Sequence, residues 1–316
     1  MIISASRRTD IPAFYSDWLV NRLREGYVLT RNPMNYGQVS KILLTPEVVD
    51  CIVLWTKDAK HIMDKLKDID DLGYTYYFQF TLTPYGKDIE PYLRDKEKII
   101  DTFIELSERI GKAKLLWRYD PIILNQTLTK EYHLEQFEYL CSRLRDYTDI
   151  CTISFVDIYS KLSKTVKNQV LREITKEEMT KLAAGLAGIS RRYGIELRSC
   201  CEKLDLEELG LKHGRCIDKT VIERICGCNL KTKAETTQRE GCMCIQSIDI
   251  GTYNTCRHGC LYCYANYSYP AVEQNCLKYN PKADLLIGEI TTEDKVTVRK
   301  MQSFKDRNYS FFEDLK

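Results

Sequence analysis

Short runs of β-branched and aromatic residues alternate along this chain with stretches in which apolar side chains recur every three or four positions. The runs predict strands at Ile2 to Ser6, Cys51 to Trp55, Tyr76 to Leu82, Lys114 to Tyr119, Cys151 to Val156, Ile195 to Ser199 and Gln246 to Ile250. Between them, the period of Pro12 to Glu25, Asp58 to Asp71, Lys96 to Ile110, Glu131 to Arg145 and Thr175 to Tyr193 predicts amphipathic helices. Alternation of this kind is the pattern of βα units around a parallel sheet, and the number of units approaches that of a barrel. Gly26 to Pro46 interrupts the rhythm, and there Tyr27 to Arg31 and Gln38 to Leu44 predict a hairpin inserted after the first helix.

Polar and charged residues gather where the predicted strands end. Arg7, Arg8 and Asp10 follow the first strand, Lys57 the second, and Thr81 and Thr83 the third. The fourth ends in Arg118 and Asp120, the fifth in Ser154 and Asp157, and the sixth in Arg198 and Ser199. Parallel α/β sheets bind ligands outside the carboxyl ends of their strands, so these positions are candidates for a site lined by successive βα loops. In such a site Arg8, Lys57 and Arg118 would hold a carboxylate or phosphate, while Asp10, Asp120 and Asp157 would bind amines or move protons.

Composition narrows the class. The 316 residues allow one large barrel or two domains, and either buries an ample core. With 47 basic against 45 acidic side chains the formal charge is +2, which supplies no long-range field for nucleic acid. The longest apolar run, Cys51 to Trp55, is far short of the roughly 18 residues a spanning helix needs, and the N-terminus lacks a secretory apolar stretch. The expectation is a soluble, cytoplasmic protein without a membrane partner.

Cysteine changes the picture most. Of 14 cysteines, 11 fall between Cys200 and Cys276, and in a reducing compartment such density points to metal rather than to disulfides. Cys51, Cys141 and Cys151 sit in apolar runs and are expected to pack as small hydrophobes. The sharpest motif is Cys256, Cys260 and Cys263, a Cys-x3-Cys-x2-Cys loop entered from the last predicted strand. Three thiolates so spaced can each bind a different iron of one cubane and leave the fourth iron open to a chelating small molecule. A zinc site completed by Cys276 or His258 is the alternative, although the paired Cys-x2-Cys knuckles usual in zinc modules are missing from this stretch.

The loop resembles the signature of the radical S-adenosylmethionine superfamily, with Tyr262 at the aromatic position before the last cysteine, and its Cys-Tyr ending is similar to the spore photoproduct lyase branch. The resemblance implies a [4Fe-4S] cluster on Cys256, Cys260 and Cys263, and Tyr262 bordering the adenine of S-adenosylmethionine. It also implies reductive cleavage of that cofactor to start radical chemistry, with electrons from a flavodoxin or ferredoxin. Superfamily members usually carry the loop after the first barrel strand, whereas here it follows the last. A circularly permuted TIM-like or partial (β/α) barrel, with Gln246 to Ile250 beside the N-terminal strand, would recover the geometry. The opening Ser4-Ala5-Ser6-Arg7-Arg8-Thr9-Asp10-Ile11-Pro12, together with the cysteine motif, also resembles a bacterial family of uncharacterised proteins over nearly the whole chain.

Cys200, Cys201, Cys216, Cys226, Cys228, Cys242 and Cys244 supply enough thiolates for a second, auxiliary site. The preferred set is Cys200, Cys216, Cys242 and Cys244, with Cys228 as substitute, and a zinc staple is the structural alternative. His61 and His133 are expected at the surface or half-buried on helices, and His213 stands near Cys216. Trp18, Trp55 and Trp117 read as core residues, and Asp64 to Asp71 as a solvated helix face. Three segments follow: a barrel domain over 1–199, a cysteine-rich iron-sulfur segment over 200–274 that carries the last strand, and a tail over 275–316 that wraps the surface or frays. The leading function is a radical S-adenosylmethionine enzyme acting on a small molecule. A non-catalytic iron-sulfur or zinc redox sensor, and repair of nucleic-acid lesions, are the alternatives.

Overall fold

The computed structural model describes residues 1–158, 170–200, 204–235 and 242–306. Cys201 therefore lies outside the described residues. The strands are β1 (Ile2–Ala5), β2 (Tyr27–Asn32), β3 (Asn35–Leu43), β4 (Cys51–Thr56), β5 (Tyr76–Thr81), β6 (Leu115–Ile122), β7 (Ile150–Phe155), β8 (Glu196–Cys200), β9 (Lys212–Gly214), β10 (Ser247–Asp249) and β11 (Lys295–Val298). Eight of them form one sheet in the order β10-β1-β4-β5-β6-β7-β8-β9, every neighbouring pair parallel. Helices flank this sheet, which makes the chain an α/β fold of the Rossmann or TIM-like kind.

The strand that enters the cysteine loop pairs with the N-terminal strand, Ile2 against Ser247 and Ser4 against Asp249. The sheet also curls. Tyr77 and Gln79 on β5 reach inward to donate to the Cys216 carbonyl at 3.0 and 2.8 Å, just past β9 at the far edge. The Ile245 amide, just before β10, donates to the Ile217 carbonyl at 3.1 Å, so the chain flanking the two edge strands closes the circuit that the strands themselves leave open. Such closure shields the edge groups of short strands from stray pairing.

Two predicted helices are interrupted. Asp58 to Asp71 forms two pieces, Lys60–Met63 and Leu66–Asp71, because the Lys65 amide turns tightly back to Ile62. Pro12 to Glu25 breaks at Tyr15 into Ile11–Phe14 and Ser16–Glu25. There the Tyr15 hydroxyl leaves the helical path to donate to the Thr255 carbonyl at 2.6 Å, directly under the cysteine loop. The hairpin forms as predicted from β2 and β3, and β11 extends it to a separate three-stranded sheet. The lone strand missing from the sequence reading of the main sheet is β9, whose three residues are too few to show alternation.

Trp18 and Trp117 are fully buried, Trp117 stacked on Phe137. Burying such a ring contributes roughly 1.5–3 kcal/mol by area alone. His133, expected nearer the surface, is also fully buried: Tyr119 and the Ile123 carbonyl satisfy both ring nitrogens at 2.8 Å, and burial pushes its pKa down to about 4. His61 is exposed. The C-terminal segment packs on the helix before β2, where Trp18 donates to the Ala283 carbonyl and Arg22 pairs with Asp284 at 2.7 Å.

Candidate active site

Most of the polar strand ends converge on one cavity of about 430 Å³ at the carboxyl edge of the sheet, while Thr83, Arg198 and Ser199 stay outside it, Arg198 paired with Glu196 and Asp218. Its wall includes Arg7, Arg8, Asp10, Lys57, Arg118, Asp120 and Asp157, and with them Cys256, Cys260, Cys263 and Tyr262. Cys200, Cys216, Cys242 and Cys244 line the same cavity from the other side. Trp55 packs against the core, as expected, and also lines the cavity, half-buried beneath the Arg118 guanidinium. Strand alternation points it inward at the last turn of β4, where the sheet opens.

The N-terminal motif accounts for the shape of this mouth. Asp249 on β10 accepts from the Ser4 and Ser6 hydroxyls at 2.8 and 2.6 Å and from the Arg7 and Gly251 amides at 2.8 and 3.0 Å. Gly251 is obligatory, since a Cβ there would stand 2.0 Å from Ser6 Oγ. Asp10 caps the helix at Ile11–Phe14 through Ala13 and accepts from the Lys57 amide at 2.7 Å and from His258 at 2.8 Å. It is buried and its oxygens are committed, so it holds the ends of β1 and β4 and the cysteine loop in one register.

The loop is held from below as well. Leu261 donates to the Ile89 carbonyl at 3.0 Å, Tyr92 donates to the His258 carbonyl, and Gly259 takes φ +69° where a side chain would strike Tyr92. Tyr262 packs edge-on to Tyr85 and donates to Glu90. Glu90, fully buried, also receives Lys57 at 2.7 Å and Lys96. Burial alone would raise its pKa, but the two ammonium groups outweigh that and bring it down to about 2. Burial pulls Lys57 down, and Glu90 outweighs this to leave it raised, so a lasting cation sits beside Cys260.

Burial raises all three loop thiols, that of Cys260 to about 12. Each therefore keeps its proton at neutral pH. The Ala265 amide already donates to Cys263 Sγ at 3.4 Å, the kind of bond that supports a ligating thiolate. The donor set fits an iron-sulfur cluster, soft and gathered on one loop. Among the described residues no three His, Cys, Asp or Glu groups stand close enough to share one ion. Thiolates on different corners of a cubane are spaced wider than that. Of the two residues considered as a fourth zinc ligand, His258 turns its Nε2 to Asp10, and Cys276 lies behind the loop against Tyr15 at 3.4 Å.

The second cysteine set is gathered from separate stretches. Cys216 Sγ lies 2.9 Å from Cys200 Sγ, and Cys244 Sγ accepts from the Ile217 amide at 3.3 Å. The Cys200 and Cys244 thiols, then Arg118 at 3.2 Å, pull Cys216 well below its ordinary pKa. Arg118 is thus engaged by Cys216 and Asp120, and Asp120 in turn by Ser154, so none of the three is an idle substrate clamp. Cys228 is not brought here: it lies with Cys226 near Asp50, at the amino end of β4, where Cys226 donates to the Asp50 carbonyl at 3.4 Å. His213 faces outward to Asp205 and Glu207. Glu90 and Lys96 carried no sequence signal, being ordinary charges in a loop and at the first position of the helix Lys96–Ile110. Asp249 did: it is an acid between two isoleucines in a predicted strand.

A family model described as a domain of unknown function, DUF1848, matches residues 2–265. No curated protein matches the chain. Among solved structures, one described as a "putative alpha-L-fucosidase" from Bacteroides thetaiotaomicron is similar at a TM-score of 0.22 and 9% identity, over 50% of this chain and 66% of that one. This chain thus spans just under two thirds of that protein, a likeness too slight to bear on activity.

Proposed function

We propose that this chain, which belongs to the DUF1848 family, is a radical S-adenosylmethionine enzyme acting on a small molecule, built on a circularly permuted, partial (β/α) barrel. The observation that carries the reading is the meeting of the Cys256–Cys263 loop with the polar strand ends in one cavity, on a strand paired to β1. Cys256, Cys260 and Cys263 would hold a [4Fe-4S] cluster, with S-adenosylmethionine on its open iron beside Tyr262. That pair supplies one-electron reduction of a sulfonium and hydrogen abstraction from substrate.

The protein's part is placement and exclusion of water. The Glu90 carboxylate fixes Tyr262 and Lys57 against the loop, so the ring and the cation beside Cys260 cannot swing away. Asp10 and His258 lock the loop to the end of β1. Trp55 and Phe155 wall the cavity with apolar surface, which shields a reactive intermediate. Cys200, Cys216, Cys242 and Cys244 would hold an auxiliary cluster on the opposite wall. The cysteine-rich segment is then an iron-sulfur module, and the electron donor a flavodoxin or ferredoxin.

An electron paramagnetic resonance spectrum of anaerobically purified, reduced protein, with and without S-adenosylmethionine, tests this. A [4Fe-4S]⁺ signal altered by the ligand is expected. Clusters indifferent to it would leave a redox sensor, and zinc in place of iron would end the radical reading.

A further inference from the structure

A second cavity of about 500 Å³ lies between the hairpin and β10 and shares Arg7, Arg8 and Asp249 with the first. Its walls come from parts of the chain far apart in sequence: Arg31 on β2, Lys233 before β10, and Arg299 just after β11. Arg31 is spent on Asp294, with both nitrogens of its fork engaged. Lys233 and Arg299 are different. Neither side chain has a hydrogen bond or ion pair among the described residues, and both are exposed to the cleft.

Arg7 and Arg8 are only loosely neutralised. They share Asp249 at 3.8 and 3.9 Å, beyond hydrogen-bond reach, because that carboxylate is already occupied by two serines and two amides. Arg7 also donates to Ser247, and Arg8 donates to the Gly251 carbonyl and lies over the Tyr253 ring. Four cations thus face a cleft whose acids, among the described residues, are Asp249 and Glu235. A concave wall with a positive excess focuses its field on a multiply charged anion, and guanidinium forks with an ammonium match phosphate oxygens.

We propose that this side cleft binds the phosphate of a phosphorylated small-molecule substrate, whose other end passes Arg7 and Arg8 into the main cavity. Phosphate binding here does not depend on the radical reading; only the direction of entry does.

The test is titration calorimetry of the whole protein with inorganic pyrophosphate, on wild type, Lys233→Ala, Arg299→Ala, and Lys176→Ala on a remote helix. Salt-sensitive binding is expected, weakened roughly 10-fold by each of the first two substitutions, as for loss of a charge-assisted bond, and unchanged by the third. No binding at millimolar pyrophosphate in low salt, or equal loss in all three variants, would overturn the proposal. So would malonate binding as tightly, which would make the site one for carboxylates. Binding of a single-stranded oligonucleotide more than 100-fold tighter than pyrophosphate through the same residues would replace the small molecule by a nucleic acid. The clusters' spectrum is read separately and should not change in any variant, so failure here and failure of the radical reading are distinguishable.

Discussion

The two cysteine groups that face each other across the main cavity are built in opposite ways. Cys256, Cys260 and Cys263 lie within eight consecutive positions, and the loop is shaped by its own glycine and by bonds to Ile89, Tyr92 and Asp10. Cys200, Cys216, Cys242 and Cys244 come from the end of β8, the chain past β9 and the approach to β10, and they meet only because the sheet curls. Their electrostatics differ as well. Burial holds the loop thiols protonated beside Lys57, whereas neighbouring thiols and Arg118 favour a thiolate at Cys216. A locally encoded site can keep its shape while its surroundings vary. A site gathered from afar reports on the closure of the fold.

The sharpest way to break this comparison is Cys256→Ala. It is expected to abolish the S-adenosylmethionine-sensitive signal and any turnover while iron on the opposite wall persists; loss of all iron would show one shared site instead of two.

Next in size is Glu90→Gln, which strips the buried carboxylate from two half-buried ammonium groups. A loss of about 3–5 kcal/mol in denaturant unfolding is expected, together with loosening of Tyr262. The same residue sets an acid limit. Its folded pKa of about 2 lies below the ordinary 4.5, so the unfolded chain binds the proton first as pH falls. The stability it contributes, on the order of 3 kcal/mol, is complete above about 4.5 and is lost on going down to about 2. Unfolding midpoints measured across that window should fall in wild type and lie flatter in Glu90→Gln.

Cys242→Ala is expected to release the metal of the second site and leave the ligand-sensitive signal intact, as read by metal analysis and resonance together. Simultaneous loss of both would join the two walls into one unit. The smallest effect belongs to Cys228→Ser, at the other end of the sheet: metal content should not change, and a lost equivalent would move the auxiliary site away from the cavity.

The alternation of apolar runs made the strands, the hairpin and the parallel character of the sheet legible, because burial on both faces imposes its pattern on each strand separately. Cys256, Cys260, Cys263 and Tyr262 were legible for a similar reason, since the spacing that wraps a loop around one ligand is written in adjacent residues. So was the convergence of Arg8, Lys57, Arg118 and Asp120, which follows from strand direction alone. The tertiary structure alone decided which of these are free and which are spent. Asp10 became a buried strut, Arg118 a partner of Cys216, and Trp55 a cavity wall. It also decided that Glu90 anchors the loop, that Cys228 is left at the far end, and that Arg299 and Lys233 line one cleft with Arg7. Contacts between residues far apart in the chain depend on how far the sheet curls and where its edges meet, and no local pattern carries that information.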